Sequence, residues 1–514
     1  MVKSVQETER KYEIPSSSDT SWLPPLDRVD GVTSVVGRGI EELDAVYYDT
    51  DDLRLSGSSA VLRRRTGGSD AGWHLKLPLP GDSREEVQAV LTDAVPDALH
   101  DLALSRTRGA ELTPVVRIRS TREVRDLVDA EGAVLAELSI DAVRAESLRA
   151  ESRSAAWREL EVELAEDADP ALLDAVEKKL RKNGIARARS SSKLARALDE
   201  LAPVPAGERD EAADLAAGSA GEQVLTYVCE QIRVLTALDP AVRRDRPDSV
   251  HRMRVACRRL RSCLRSYRSV VDREVTDAIR EDLKWLAGEL GTERDQEVMM
   301  ERLTRGVEAL PGELVLGPVS ARLQAWNVAR GYESHQRSLD ALGSRRYLAL
   351  LDSLAALAQQ PPLRAKAGKA GTAADKVMAK AVLKEVDRLA QRMTPALDLP
   401  PGPERDVALH EARKAAKKVR YAAEVARPTL GKPAKRLGKR VKAGQKVLGD
   451  HQDSVVARGT IRDLAVAAQT AGEAGFTWGV LYGQEQTVAH TREQELPTVW
   501  ERASAPKLRK RLSR

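Results

Sequence analysis

The sequence predicts an α+β protein of two unlike modules, a β-rich one followed by an all-α one. Three observations predict it. From Val5 to about Leu164, short segments alternate apolar and polar residues and are rich in β-branched and aromatic types. After Val224 the alternation stops, and Leu, Val and Ala recur at three- and four-residue steps. The charge divides at the same place. Residues 1–205 hold 29 Lys and Arg against 38 Asp and Glu, and residues 206–514 hold 54 against 40, balances of −9 and +14 beneath a net +5.

A chain of 514 residues is long enough for two or three domains with real cores. Its 31% charged and 3% aromatic residues suit a soluble, helix-rich surface. No apolar run would span a membrane, and no apolar signal region opens the chain. Cys229, Cys257 and Cys263 are odd in number and lack metal-ligand spacing, so they are expected as reduced thiols in a cytosolic protein.

Along the first module, Glu7, Glu9 and Lys11 share one face of a strand, and Arg10 faces away. Ala45–Tyr48 is a second strand. Ala60–Arg65 puts Arg63 and Arg65 on one face and Arg64 on the other. Gly67–Gly72 reads as a hairpin turn. Trp73–Leu77 carries Lys76, with His74 taken to point away as a surface or packing histidine. A helix is expected over about Glu85–Leu91. Val115–Arg119 aligns Arg117 with Arg119, and Ala133–Asp141 aligns Glu137, Ser139 and Asp141. Arg158–Leu164 sets Glu159, Glu161 and Glu163 against an apolar face. A helix over Pro170–Lys182 ends before Gly184.

Each charged face alone fits solvated strand surface, where ion pairs contribute little. Together they do not, because like charges crowded on one strand repel. A tunnel lined by acidic and basic strands and filled by a metal and phosphates resolves the crowding, with helices outside covering the apolar faces.

Glu-x-Glu-x-Lys at 7–11, Tyr47-Tyr48-Asp49-Thr50 with Leu53 and Leu55, Leu62-Arg63-Arg64-Arg65, Leu75-Lys76-Leu77-Pro78 and Glu159-Leu160-Glu161-Val162-Glu163 resemble, in order, the CYTH domain of the triphosphate tunnel metalloenzyme family. The resemblance implies an eight-stranded antiparallel β-tunnel over residues 1–200 that binds a triphosphate with Mg²⁺ or Mn²⁺. It implies Glu7, Glu9, Glu161 and Glu163 as the metal side, and Arg63, Arg65, Lys76, Arg117 and Arg119 as the phosphate clamp. Lys11 would lie near the reacting phosphate, Glu9 and Asp141 would support metal or base, and Lys193 after Ser190-Ser191-Ser192 would reach the substrate. Glu137 and Glu159 are weaker candidates. Family members act on inorganic triphosphate or thiamine triphosphate, or cyclise ATP, and no adenine pocket or thiamine cage is legible here.

Residues 201–221 read as a Pro-, Ala- and Gly-rich linker. In the second module, His251, Arg254, Arg258, Arg261, Arg265 and Arg268 form one helical stripe, and His410, Arg413, Lys417 and Arg420 repeat its spacing 159 residues later. Leu290-Gly291…Asp295 recurs as Leu448-Gly449…Asp453 at an offset of 158. The module, 222–505, is therefore an internal duplication, about 222–358 and 373–505, joined around Gln359–Thr372. The basic helices are expected to face each other or a shared groove. A basic tail, 506–514, is expected to be disordered.

The doubled His-x-x-Arg helix with Gly-x-x-x-Asp downstream resembles the CHAD domain. That implies an all-α domain binding inorganic polyphosphate through His251, Arg254, Arg258, Arg261, His410, Arg413, Lys417 and Arg420. A linear polyanion would relieve repulsion along both stripes and release counterions. The histidines read as phosphate donors, helix-start packing groups or, last, metal ligands, since no carboxylate-histidine cluster surrounds them in sequence. Nucleic acid is a poorer partner, since only Tyr267 and Tyr421 lie near the stripes to stack on bases. The expected whole is a cytoplasmic, polyphosphate-granule-compatible triphosphatase. An adenylate cyclase, a thiamine triphosphatase or a non-catalytic polyphosphate binder are the alternatives.

Overall fold

The computed structural model describes residues 2–14, 22–149, 153–202, 216–364 and 374–512. Most of the expected linker and of the junction between repeats lies outside them. The chain divides into two compact units, Met1–Arg209 and Asp210–Arg514. No helix among the described residues is long and apolar enough to cross a membrane.

The first unit comprises β1 (Lys3–Glu13), β2 (Ser34–Asp49), α1 (Arg54–Gly57), β3 (Val61–Thr66), β4 (Gly72–Pro78), β5 (Ser83–Ala89), α2 (Asp97–Thr107), β6 (Thr113–Val128), β7 (Val134–Ser147), β8 (Ser154–Leu164), α3 (Ala171–Lys182), β9 (Ala186–Arg187) and α4 (Lys193–Leu201). Strands pair in the order β5-β4-β3-β2-β6-β7-β8-β1, and β5 pairs with β1 to close an eight-stranded antiparallel barrel. Short β9 adds to β1. Closure removes the sheet's edges.

The barrel is inverted relative to most: its inside is polar and its outside is apolar. Leu138, Ile140, Leu160 and Val162 on the outer face pack against Leu172, Leu173, Val176 and Leu180 of α3. Leu62, Trp73, Leu75 and Val87 pack against Leu99, Leu102 and Ala103 of α2. Helix α4 does something different. Its Leu194, Ala197 and Leu201 join Tyr47, Val116, Ile118 and Trp157, so apolar side chains fill that end of the barrel. Ser192 caps α4, its Oγ accepting from Ala195 N at 3.0 Å.

The helix expected over Glu85–Leu91 is instead β5 (Ser83–Ala89), paired on both sides. Glu-Glu-Val-Gln-Ala favours a helix locally, but two open strand edges outweigh that propensity. Gly67, at φ +80°, makes the β3–β4 turn possible: a Cβ there would lie 2.1 Å from Glu42 O.

The second unit is helical: α5 (Ala220–Arg243), α6 (Ser249–Ser266), α7 (Arg273–Glu289), α8 (Gly291–Glu308), α9 (Val319–Gly343), α10 (Arg345–Gln359), α11 (Ala374–Asp398), α12 (Pro403–Val425), α13 (Arg427–Thr470), α14 (Phe476–Ser504) and α15 (Pro506–Leu512). The duplication is visible: α5 packs on α6 as α11 packs on α12. One core contains Met253, Ala256, Cys257 and Leu260 of α6 with Leu409, Ala412, Ala416 and Val419 of α12. The tail expected to be disordered forms α15, whose Leu512 is buried in that core. All three cysteines are free.

Candidate functional site

A cavity of about 420 Å³ runs inside the barrel and is lined by Glu7, Glu9, Lys11, Arg63, Arg65, Lys76, Glu161, Glu163 and Lys193, nine of the residues named from sequence. Asp141 lies in the wall, fully buried between Arg122 and Lys193.

Arg117 and Arg119 are not there. Both are on the outer face, Arg117 half-buried and Arg119 exposed, where Arg117 pairs with Asp44 at 2.5 Å and Arg119 with Glu146 at 3.0 Å. Period two accounts for the difference. The inward residues of β6 are the even ones, and near its start these are Val116 and Ile118 beneath α4. Its inward cation is Arg122, which donates to Asp141 and Glu161 at 2.8–2.9 Å. The signal for Arg122 is present in the sequence, since the alternation runs on to Val128. His74 is likewise inside. It shares parity with Lys76, and its ring nitrogens lie 2.9 Å from Glu86 Oε1 and Asp70 O. Arg84, Glu86 and Asp126 also line the cavity, where the sequence reading does not place them. Taking the β5 region for a helix hides Arg84 and Glu86. Arg10 and Arg64 do face outward: Arg10 binds Asp82, Asp174 and Glu177, and Arg64 donates to Thr92 O.

Strand register concentrates acid on one wall. Asp126, Glu137, Glu163 and Glu9 stand directly opposite one another across β6, β7, β8 and β1. Like charges at such cross-strand positions repel. Burial first, then Glu9, Glu161 and Glu137, push Glu163 above the ordinary carboxylate range. Burial with Asp126 and Glu41 does the same to Glu137. Glu7, one step along β1, is pushed up to about 8 by burial against the pull of Lys76, whose Nζ is 2.5 Å away.

Below this row the carboxylates are neutralised. Lys193 Nζ lies 2.9, 2.8 and 2.7 Å from Asp141, Glu159 and Glu161, and Lys11 also pairs with Glu161. Burial opposes ionisation there, but Lys193 and Arg122 hold Asp141 down, and Lys11, Lys193 and Arg122 hold Glu161 well down.

On the facing wall the opposite imbalance falls on Arg65, which pairs with Asp70, whereas Tyr47 and Glu86 hold Arg63 up against its burial. Burial, then Arg63 and Arg122, lower Arg65 to about 9. The Nε atoms of Arg63 and Arg65 are buried with no hydrogen-bond partner among the described residues. Unsatisfied guanidinium donors lining a polar cavity suit a multiply charged oxyanion.

In the helical unit the two basic stripes converge. Lys417 on α12 is pushed down to about 7 by burial, then by Arg413, Arg258, Arg254 and Arg420, so cations of α6 and α12 surround it. Arg254 Nη1 donates to Gly291 O at 3.0 Å, and the Arg413 guanidinium lies over Gly449. Arg254 and Arg413 thus each sit on the glycine of their own repeat. Arg261 is lowered by burial, and the charges that act on it include Glu281 and Arg280 of α7. His410 interacts with Gln452, and His251 opens α6 in the equivalent place. The Asp295 side chain lies outside the described residues.

Residues 6–198 match the CYTH domain, and residues 226–462 match the CHAD domain. An uncharacterized protein of Mycobacterium tuberculosis, from strains CDC 1551 / Oshkosh and H37Rv, is 38% identical over 507 residues, 95% of this chain and 94% of that protein. The chain belongs to the CYTH and CHAD families. Among solved structures, PptA from Streptomyces chartreusis aligns with a TM-score of 0.46 at 22% identity, covering 55% of this chain and 99% of that one. The CHAD domain from the plant Ricinus communis aligns at 0.44 and 24%, covering 59% and 98%.

CYTH domains are metal-dependent and bind triphosphates, and CHAD domains are linked to polyphosphate. This CYTH tunnel fits a hard divalent cation. The oxygens of Asp141, Glu159 and Glu161 lie within 4.8 Å of one another, but the Lys193 ammonium already touches all three. The acidic row beside them, with Glu7, has excess negative charge that a divalent cation would offset.

Proposed function

We propose that the CYTH tunnel hydrolyses inorganic triphosphate with Mg²⁺ or Mn²⁺, and that the CHAD unit binds inorganic polyphosphate. The observation that carries the first part is the pairing of opposite charge imbalances inside one cavity. Glu7, Glu137 and Glu163 are held too protonated on one wall, and the Arg65 guanidinium is held too acidic on the other. A metal–triphosphate complex supplies the two missing charges at once.

Glu7, Glu9 and Glu163 hold the metal, with Glu137 beside them and Glu161 committed to its cations. When bound, the metal supplies Lewis-acid stabilisation of phosphoryl oxygens. Arg63, Arg65 and Arg122 grip the phosphates and offset charge that builds in the transition state. Lys76 fixes Glu7, and Lys11 sits between Glu9 and Glu161, where the terminal phosphate arrives. Lys193, bound to three carboxylates, positions this wall.

The test is release of orthophosphate from triphosphate, ATP and thiamine triphosphate, each with Mg²⁺ and with Mn²⁺. Triphosphate should be favoured, and Glu9→Ala with Glu163→Ala should abolish turnover. A cyclic product from ATP would replace the hydrolase by a cyclase. Unchanged turnover in the double variant would refute the metal wall.

For the CHAD unit, the support is the crowding of Lys417 by arginines from both repeats. Charge reversal at Arg254 and Arg413 should abolish retention on immobilised polyphosphate. Full retention would mean that the anion lies elsewhere.

A further inference from the structure

The tunnel does not end at its acidic wall. A second cavity, about 370 Å³, lies beyond it and shares Glu9, Lys11 and Arg84 with the first. The partition between them is polar. Arg84 reaches toward Glu9 Oε1 at 3.8 Å on one side and donates to Ser191 O at 2.5 Å on the other. The segment leading into α4 spans the boundary: Ser190 and Ser191 line the second cavity, and Ser192 and Lys193 line the first.

The charge of the two chambers differs. The second is lined by five cationic side chains and two carboxylates, Glu9 and Asp82. Asp82 is taken by Arg10 at 2.8 Å and by Arg187. Arg189 is exposed, makes no ion pair among the described residues, and uses only its backbone N–H, toward Glu13. Hydroxyls of Ser59, Ser83, Ser190 and Ser191 add donors. Arg10 is also held by Asp174 and Glu177, and Lys11 and Arg84 face Glu9, so Arg189 is the lining cation left over, beside hydroxyl donors and with no acidic row to call for a metal. Such a lining suits an extended oxyanion chain more than a compact metal complex.

We propose that this second chamber is a subsite for the continuing chain of a linear inorganic polyphosphate, passed beside Lys11 and Arg84 while its terminal phosphates occupy the tunnel. The proposal rests on the triphosphatase reading and extends it: the substrate class becomes linear polyphosphates longer than three phosphates, and Arg189 sets chain-length preference.

The experiment uses the full chain and its Arg189→Glu variant, with tripolyphosphate and with linear tetraphosphate and longer polyphosphate. The position is exposed, so folding is not at risk, and Arg189→Gln serves as the milder change. KM for the longer chains should rise about tenfold in Arg189→Glu. It should rise less in Arg189→Gln, and the constants for tripolyphosphate should stay within about twofold. The effect should shrink with added salt. Equal shifts for short and long chains, or none, would overturn the subsite. If wild-type protein cleaves none of these substrates, the hydrolase reading fails by itself. The subsite is then decided by tetraphosphate and tripolyphosphate affinities, which must still diverge between wild type and Arg189→Glu.

Discussion

Lys193→Met separates two roles that one lysine could play in the tunnel. Its Nζ touches Asp141, Glu159 and Glu161, and its side chain is only 9% exposed. Methionine keeps the stem and removes the charge. Arg122 would still cover Asp141 and Glu161, and Lys11 would still cover Glu161, but Glu159 would keep only the Trp157 N–H at 2.7 Å. Breaking a buried ion pair by removing one partner costs ~3–5 kcal/mol. The remaining cations place this case near the lower end. Urea denaturation followed by tryptophan fluorescence, fitted as two transitions for the two units, should show the CYTH transition alone displaced. The loss depends on pH in a definite direction. Asp141 and Glu161 have folded-state values below their unfolded ones, so their contribution is present above about pH 4 and disappears as pH falls. The gap between variant and wild type should therefore close in acid. A loss under about 1 kcal/mol at neutral pH would refute the reasoning, because surface pairs contribute no more than that. A gap constant with pH would assign the loss to packing instead of charge.

Other consequences are sharper for activity or for the metal. Glu7, Glu137 and Glu163 have raised values, so above about pH 4.5 the folded state binds more protons than the unfolded one. With chelator present, the CYTH melting temperature should fall from pH 5 to pH 8, and a divalent cation should restore it at pH 8. A metal-independent rise over that range would contradict the acidic row. Arg122→Ala should cut kcat/KM for triphosphate by about a hundredfold, the usual loss for one preorganised donor. Arg117→Ala, outside the barrel, should leave it unchanged, and equal effects would return Arg117 to the phosphate clamp. Gly67→Ala should cost about 1–3 kcal/mol, since φ is +80° and backbone, not a movable side chain, stands where the Cβ would go. Chemical denaturation measures it, and a neutral result would mean the turn can refold around alanine.

What can be read from the chain follows the physics of alternation. Seven strands show themselves, most of them because charged residues at every second position, with apolar ones between, fit a strand and little else, and Ala45–Tyr48 by its β-branched and aromatic residues. The eighth, β5, does not, because Arg-Glu-Glu-Val-Gln is a good helix sequence, and only the need to close the barrel makes it a strand. The clamp assignment fails at Arg117 and Arg119 for a related reason. Parity tells which residues share a face but not which face is inner. That depends on α4 filling one end with Leu194 and Leu201, a contact between residues far apart in sequence. The row Asp126–Glu137–Glu163–Glu9 is invisible for the same cause, since register across four strands is a tertiary fact. In the helical unit the repeat offset is enough to find both stripes, because duplication writes the same contact twice.

That doubled contact allows a test of whether the stripes meet their ligand through the arginine heads. A Cβ on Gly291 would lie 3.3 Å from Arg254 Nη2, tighter than ordinary packing, whereas one on Gly449 would lie 3.8 Å from Arg413. Arg254 is flexible and would yield, leaving its hydrogen bond to Gly291 O and turning its guanidinium away from Lys417. Alanine in place of glycine within a helix ordinarily gains up to about 1 kcal/mol, so neither substitution should reduce stability. Gly291→Ala should therefore weaken polyphosphate binding without unfolding the protein, and Gly449→Ala should leave binding close to wild type. The comparison is internal, because the two glycines occupy equivalent places in the two repeats. If Gly291→Ala binds polyphosphate as wild type does, the aimed Arg254 head is not what the anion meets. If both alanines weaken it equally, the glycines act through the helices themselves and not through the arginines above them.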